Sequence, residues 1–112
     1  MTDDRDDLEA ILANLKAALE MTASAGEPIH REYAGQLLQI TSQYSRTLAR
    51  GPFRGALRWR SDPRPLVRLT SEAASRAQTG QWKEALEGTH LALSVLPGEP
   101  GGLPITPPPL PW

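Results

Sequence analysis

Residues able to do chemistry are sparse in this chain of 112 residues. It has no cysteine, which excludes disulfides, thiolate metal ligands and a cysteine nucleophile. Its two histidines, His30 and His90, fall on different predicted helices, whereas a metal site needs three or four ligands. His30 with Glu27 and Glu32 is therefore a weak metal candidate. We expect His30 to be solvated in the first turn of a helix and His90 to be partly exposed.

No catalytic motif is present elsewhere in the sequence. It lacks a serine nucleophile elbow, a P-loop and a glycine-rich dinucleotide loop. Glu84 and Glu87 lie three residues apart on a predicted helix, where solvated carboxylates are more common than a catalytic pair. The sequence predicts a protein that is not an enzyme, with no catalytic residue, no cofactor and no metal.

Charge is distributed unevenly, although the net charge is only −1. Residues 1–9 hold five acids against Arg5. Residues 46–68, called the basic segment below, hold seven arginines against Asp62. The candidate residues of a basic binding patch are Arg46, Arg50, Arg54, Arg58, Trp59, Arg60, Arg64 and Arg68. Arginines with an aromatic ring could bind phosphates and stack on bases in a salt-dependent way. The alternative is that they pair with the acidic N-terminal residues, within one chain or across a dimer.

The positions of apolar residues predict two long helices in the first half of the chain. In a helix over about 4–23, five residues form one stripe: Leu8, Ile11, Leu12, Leu15 and Leu19. In a helix over about 29–49, a near-heptad seam consists of Tyr33, Leu37, Ile40, Tyr44 and Leu48. Ser24–Pro28 ends the first helix and Gly51-Pro52 ends the second. The short connection between them predicts an antiparallel hairpin.

Two shorter helices are predicted after an arginine-rich connector over 50–64. They cover about 65–79 and 82–96, and Thr79-Gly80-Gln81 forms the turn between them. Residues expected to face inward are Leu66, Leu69, Ala73, Ala77, Trp82, Ala85, Leu86, Leu93 and Leu96. Together these elements predict an all-α, four-helix, up-down domain over residues 1–97.

Residues 66–97 resemble a single tetratricopeptide repeat, most clearly over Gly80–Pro97. The residues that carry the resemblance and the packing of this hairpin are Gly80, Trp82, Ala85, Leu86, Ala92 and Pro97. The first half matches less well, because Glu72 and Arg76 replace apolar residues, and no second copy lies 34 residues away. The resemblance implies protein or peptide binding in a groove. A repeat also needs a neighbour, which the hairpin of residues 4–49 would supply. A plain helical hairpin is the alternative.

The C-terminal arm, residues 98–112, is rich in proline. Seven of the last sixteen residues are proline, so this segment is neither helix nor central strand. Its PxxP spacing suits a polyproline II ligand. We instead favour an arm that covers apolar surface of its own chain or a symmetry mate, anchored by Leu103, Ile105, Leu110 and Trp112. A disordered arm is the remaining alternative.

The leading functional hypothesis is a non-catalytic protein–protein interaction or adaptor module that uses a helical groove or the C-terminal arm. One alternative is a nucleic-acid-associated protein that uses the basic segment, and another is an accessory subunit of an enzyme or stress-response complex. Few large core residues favour a homodimer. An acidic start without an apolar core, and no long apolar run, predict a cytoplasmic bacterial protein outside the membrane.

Overall fold

The computed structural model describes the backbone of residues 4–50, 64–96 and 107–112, and in the first range the side chains of residues 6–46. Within these ranges the chain forms four α-helices and no strand: α1 Asp4–Ala25, α2 Pro28–Arg50, α3 Arg64–Gln78 and α4 Trp82–Ser94. The all-α, four-helix prediction is confirmed, and each predicted helix end lies within two residues of the observed one. The connector between α2 and α3 lies outside the described residues. None of the four helices combines the length and the apolar character needed to cross a membrane.

Helix α1 lies between α2 and α3 and packs against both. Its middle contacts the start of α3, where the Asn14 amide lies 3.2 Å from the Thr70 hydroxyl. Further along both helices, Ala18 packs in one cluster with Ala73 and Ala77. The two helices therefore run in the same direction, as an up-down order requires. Helices α2 and α3 do not contact each other within the described residues, so α3 covers no face of α2 there.

The core is built from the leucine stripe of α1 and from the inward faces of α2 and α4. Leu15, Leu37 and Leu86 are fully buried, and every member of the α1 stripe is buried. In α2, Tyr33 and Tyr44 are buried as expected, whereas Ile40 is only half-buried. The side chain of Leu48 lies outside the described residues.

Alanines form a second, smaller cluster where α1, α3 and α4 meet. It contains Ala18, Ala73, Ala77 and Ala85, with Trp82 half-buried against it. Small side chains let helices approach closely, so the α3–α4 hairpin packs directly against α1. Each alanine in this contact buries little apolar area.

The turn between α3 and α4 is a Schellman motif. The Gln81 amide donates to the Arg76 carbonyl at 2.8 Å, and the Gly80 amide donates to the Ala77 carbonyl at 3.2 Å. Gly80 has φ of 81°, a left-handed conformation that favours glycine. The turn thus has the glycine that the sequence predicted at this place, and it directs α4 back along α3.

Candidate protein-interaction site

An open depression lies between α3 and α4 on the surface of the second hairpin, and we call it the outer groove. Its centre is lined by Leu69, Glu72 and Leu91. Leu91 is 53% exposed, the largest exposure among the large apolar side chains of the described residues. Leu69 is only half-buried, so two leucines present apolar surface to solvent at the same place.

Close packing of α3 against α4 gives the outer groove a floor. A Cβ atom built on Gly88 would lie 3.3 Å from the Ala73 Cβ and 4.0 Å from Leu69 Cδ1. The absence of a side chain at Gly88, one turn before Leu91, lets the two helices approach closely.

Charged side chains line the two ends of the outer groove. Arg64 and Arg68 are exposed at the end formed by the start of α3. Glu84 and Glu87 are exposed at the other end, formed by the start of α4, where Arg76 also lies. The outer groove therefore has two leucines and Glu72 at its centre, two arginines at one end, and two glutamates with Arg76 at the other. None of its central residues was predicted to belong to a site, although Leu91 and Glu87 share the outward face of α4.

Residues 107–112 of the C-terminal arm lie against α2 near Tyr33. The Tyr33 hydroxyl donates a hydrogen bond to the Pro108 carbonyl at 2.6 Å. Leu110 packs on the main core cluster, and Trp112, 39% exposed, contacts the Tyr33 ring edge-on at a centroid distance of 6.0 Å. Two of the four candidate arm anchors thus contact the helices, while Leu103 and Ile105 lie outside the described residues.

The expectation that His30 is solvated is wrong. Its ring meets Trp112 in a T-shaped contact at a centroid distance of 5.4 Å, and the side chain is half-buried. Its Nδ1 is buried without a hydrogen-bond partner among the described residues. The cause is the C-terminal arm, which returns across the first turn of α2 from 82 residues further along the chain. His90 is partly exposed, as predicted.

Desolvation raises the pKa of Tyr33 above its ordinary value, because burial disfavours the charged phenolate. The side chain is 4% exposed. The neutral hydroxyl therefore stays available as a donor to Pro108 throughout the physiological pH range.

The basic segment is described only in part. Arg46 near the end of α2 and both Arg64 and Arg68 at the start of α3 are exposed. Because α1 runs antiparallel to α2 and parallel to α3, these arginines lie at the same end of the bundle as the acidic start of α1. The Arg50 side chain and all of Arg54, Arg58, Trp59 and Arg60 lie outside the described residues.

Of the residues that carry the repeat resemblance, three lie in the interior of the second hairpin, whereas Gly80 is exposed in the turn and Trp82 is half-buried. Ala85, Leu86 and Ala92 are buried, and Pro97 lies outside the described residues. Thr89 is also fully buried, and its hydroxyl donates to the Leu86 carbonyl at 2.9 Å.

Residues that could hold a metal ion or form a catalytic pair are the last candidates from the sequence. No group of three His, Cys, Asp or Glu side chains there is arranged to hold a metal ion. Glu84 and Glu87 are exposed. Comparisons of the chain with protein families, with curated proteins and with solved structures find no match. The likeness to a tetratricopeptide repeat therefore stays a prediction from the sequence.

Proposed function

We propose that this protein is a non-catalytic protein-interaction module of the cytoplasm that binds a protein segment in the outer groove. The observation that carries the proposal is the exposed Leu91 beside half-buried Leu69, set between charged ends. Interaction sites commonly combine an apolar centre with a polar rim. When a partner covers exposed leucines in a groove, their apolar surface is removed from water, and the free energy of this burial favours binding.

The arrangement of the two hairpins supports the same proposal. Helix α1 covers one side of α3, as a neighbouring repeat would, and the outer groove is the surface onto which a further helix could stack. The C-terminal arm is the weaker candidate for partner binding, because Pro108 and Trp112 already make contacts with α2.

The test is photocrosslinking from inside the outer groove. The photoreactive amino acid p-benzoylphenylalanine replaces Leu91 in cells that naturally produce the protein, and crosslinked products are identified by mass spectrometry. A matched control places it at Gln36, which is exposed on α2. We expect discrete protein adducts from position 91 that are absent from position 36. Equal yields from both positions, or no adduct from position 91, would refute the proposal.

The crosslinked partner also separates the adaptor hypothesis from that of an accessory subunit. An adduct with a subunit of one enzyme or one stress-response complex, recovered with the whole assembly, would favour the accessory role.

Nucleic-acid binding through the basic segment is the less supported alternative. The described arginines Arg46, Arg64 and Arg68 share their end of the bundle with the acids of α1, which weakens a phosphate-binding field. Fluorescence anisotropy with a labelled single-stranded DNA at low and high salt measures this directly. Tight, salt-dependent binding that is lost on Arg68→Glu would favour the alternative.

A further inference from the structure

We infer that the start of α2 is a second binding site, which takes up a proline-rich segment of a partner protein and which the C-terminal arm occupies as an internal competitor. The site, called the α2 site below, consists of Ile29, His30 and Tyr33. It lies on a different helix from the outer groove and does not depend on the function proposed for that groove. Its support is the way the arm is recognised, how shallowly the arm is held, and what the arm leaves uncovered.

The contacts of the arm are of the kind that recognises polyproline II segments. A proline ring fixes φ at about −65°, and a residue before proline is kept extended, so residues 107–111 have polyproline II geometry. This helix has three residues per turn, and the half-buried Pro107 and Leu110 are therefore on the same side of it. Its carbonyls make no internal hydrogen bonds, and Pro108 accepts one from the Tyr33 hydroxyl at 2.6 Å. Aromatic grooves bind proline-rich segments through such contacts.

The arm is held shallowly. Residues 107, 108 and 110 are half-buried, and residues 109, 111 and 112 are exposed. The described interface contains one hydrogen bond, one half-buried leucine and two ring contacts. These contacts correspond to a dissociation constant of about 1 mM for the same segment as a free peptide. Attachment to the chain supplies the arm at an effective concentration of the same order, so a partner segment can replace it without unfolding a helix.

The docked arm leaves part of the α2 site unsatisfied. His30 Nδ1 is buried under it and has no hydrogen-bond partner among the described residues. A buried polar atom without a partner carries a desolvation cost, so a ligand that brings a hydroxyl or amide to this nitrogen binds better than the arm. Ile29 lies four residues before Tyr33, on the neighbouring surface of the helix, and is 46% exposed. A partner segment with a further apolar side chain would cover it.

Fluorine NMR of the full chain labelled with 5-fluorotryptophan tests the inference with the unlabelled acetylated peptide PPPLPW. The readout is the signal of Trp112, identified as the one that Trp112→Phe removes. We expect the peptide to displace the arm and to move this signal to the position of a released arm. Half of the displacement should occur at about 2 mM peptide, because competition from the arm doubles the concentration required. The matched peptide PPPAPA, without leucine and tryptophan, should leave the signal in place.

Variants of the full chain separate the α2 site from its competitor. With Leu110→Ala and Trp112→Ala combined, the arm competes less, so a peptide that itself carries 5-fluorotryptophan should reach half-saturation at about 1 mM. Adding Tyr33→Phe should weaken this binding about fivefold, because the peptide loses the hydrogen bond that Pro108 accepts in the arm. Adding Gln36→Ala instead, at an exposed position of the same helix, should leave the binding unchanged. Circular dichroism checks that each variant keeps its helix content.

Several outcomes would overturn the inference. Equal shifts with PPPLPW and PPPAPA would do so, as would no displacement at about 10 mM peptide or a peptide affinity that Tyr33→Phe does not change. Sedimentation equilibrium at about 0.1 mM chain should give 12.2 kDa, because this concentration is about tenfold below the expected dissociation constant. A doubled mass that is lost when Leu110 and Trp112 are both replaced by alanine would assign the α2 site to the arm of a second copy. None of these measurements involves Leu91, so the proposed function of the outer groove stands or falls separately.

Discussion

Removing the Tyr33 hydroxyl should release the C-terminal arm from α2 while leaving the helices in place. In Tyr33→Phe the ring that contacts Trp112 remains, and only the hydrogen bond to the Pro108 carbonyl at 2.6 Å is lost. A hydrogen bond of this kind contributes about 1 kcal/mol net, so the ratio of docked to released arm should fall about fivefold. Once the arm is released, the Pro108 carbonyl can accept a hydrogen bond from water, so the lost free energy stays at about 1 kcal/mol.

The assay is fluorine NMR of protein labelled with 5-fluorotryptophan. The chain has three tryptophans, and the Trp112 signal is the one that disappears in Trp112→Phe. In Tyr33→Phe this signal should move towards its position in the unfolded chain, because the contacts with His30 and Tyr33 are populated less. Circular dichroism should show the same helix content.

Thr41→Val is the matched control. Thr41 is buried on the same helix, and its hydroxyl donates to the Leu37 carbonyl of that helix at 2.8 Å. The Thr41→Val substitution removes one buried hydroxyl and leaves the hydrogen bond between Tyr33 and the arm in place. An unchanged Trp112 signal in Tyr33→Phe, or an equal change in Thr41→Val, would show that this hydrogen bond does not hold the arm.

Three further predictions concern pH, glycine conformation and the seam between α1 and α3. The raised pKa of Tyr33 means that its contribution is complete below the ordinary value near 10 and is lost as pH rises through the folded value; the Trp112 fluorine signal should therefore shift in alkaline solution, and Tyr33→Phe should abolish that shift. Gly35→Ala should raise the free energy of unfolding by about 0.5–1 kcal/mol, since its Cβ would meet nothing within 4 Å on an exposed helical surface, whereas Gly80→Ala at φ 81° should lower it by about 1–2 kcal/mol, both measured by urea unfolding. Thr70→Val should cost about 1 kcal/mol in the same assay because Asn14 loses its hydrogen bond to the Thr70 hydroxyl and keeps the longer one to the Val67 carbonyl, and should cost clearly less in an Asn14→Ala background; equal costs in both backgrounds would contradict this coupling.

The helices themselves followed from local patterns that the sequence carries. The apolar stripe from Leu8 to Leu19 repeats at the helical period. This face of α1 is therefore buried whichever element of the fold packs against it. Gly80 predicted the turn between α3 and α4, because left-handed backbone excludes most other residues. Such signals span a few neighbouring residues, and tertiary contacts reinforce them.

The tertiary structure alone decided which helices became neighbours and which apolar residues stayed exposed. The spacing of the apolar residues in α1 does not predict that α3, rather than the far side of α2, covers the second face of α1. Leu91 and Leu69 have the same chemistry as the buried leucines, and only the position of α3 against α4 leaves Leu91 exposed and Leu69 half-buried. His30 likewise looked like a solvated first-turn residue until the arm crossed it. Contacts between residues distant in sequence depend on how all the helices pack together. A periodic pattern of apolar residues predicts that one face of a helix is buried, but it does not predict which element covers that face.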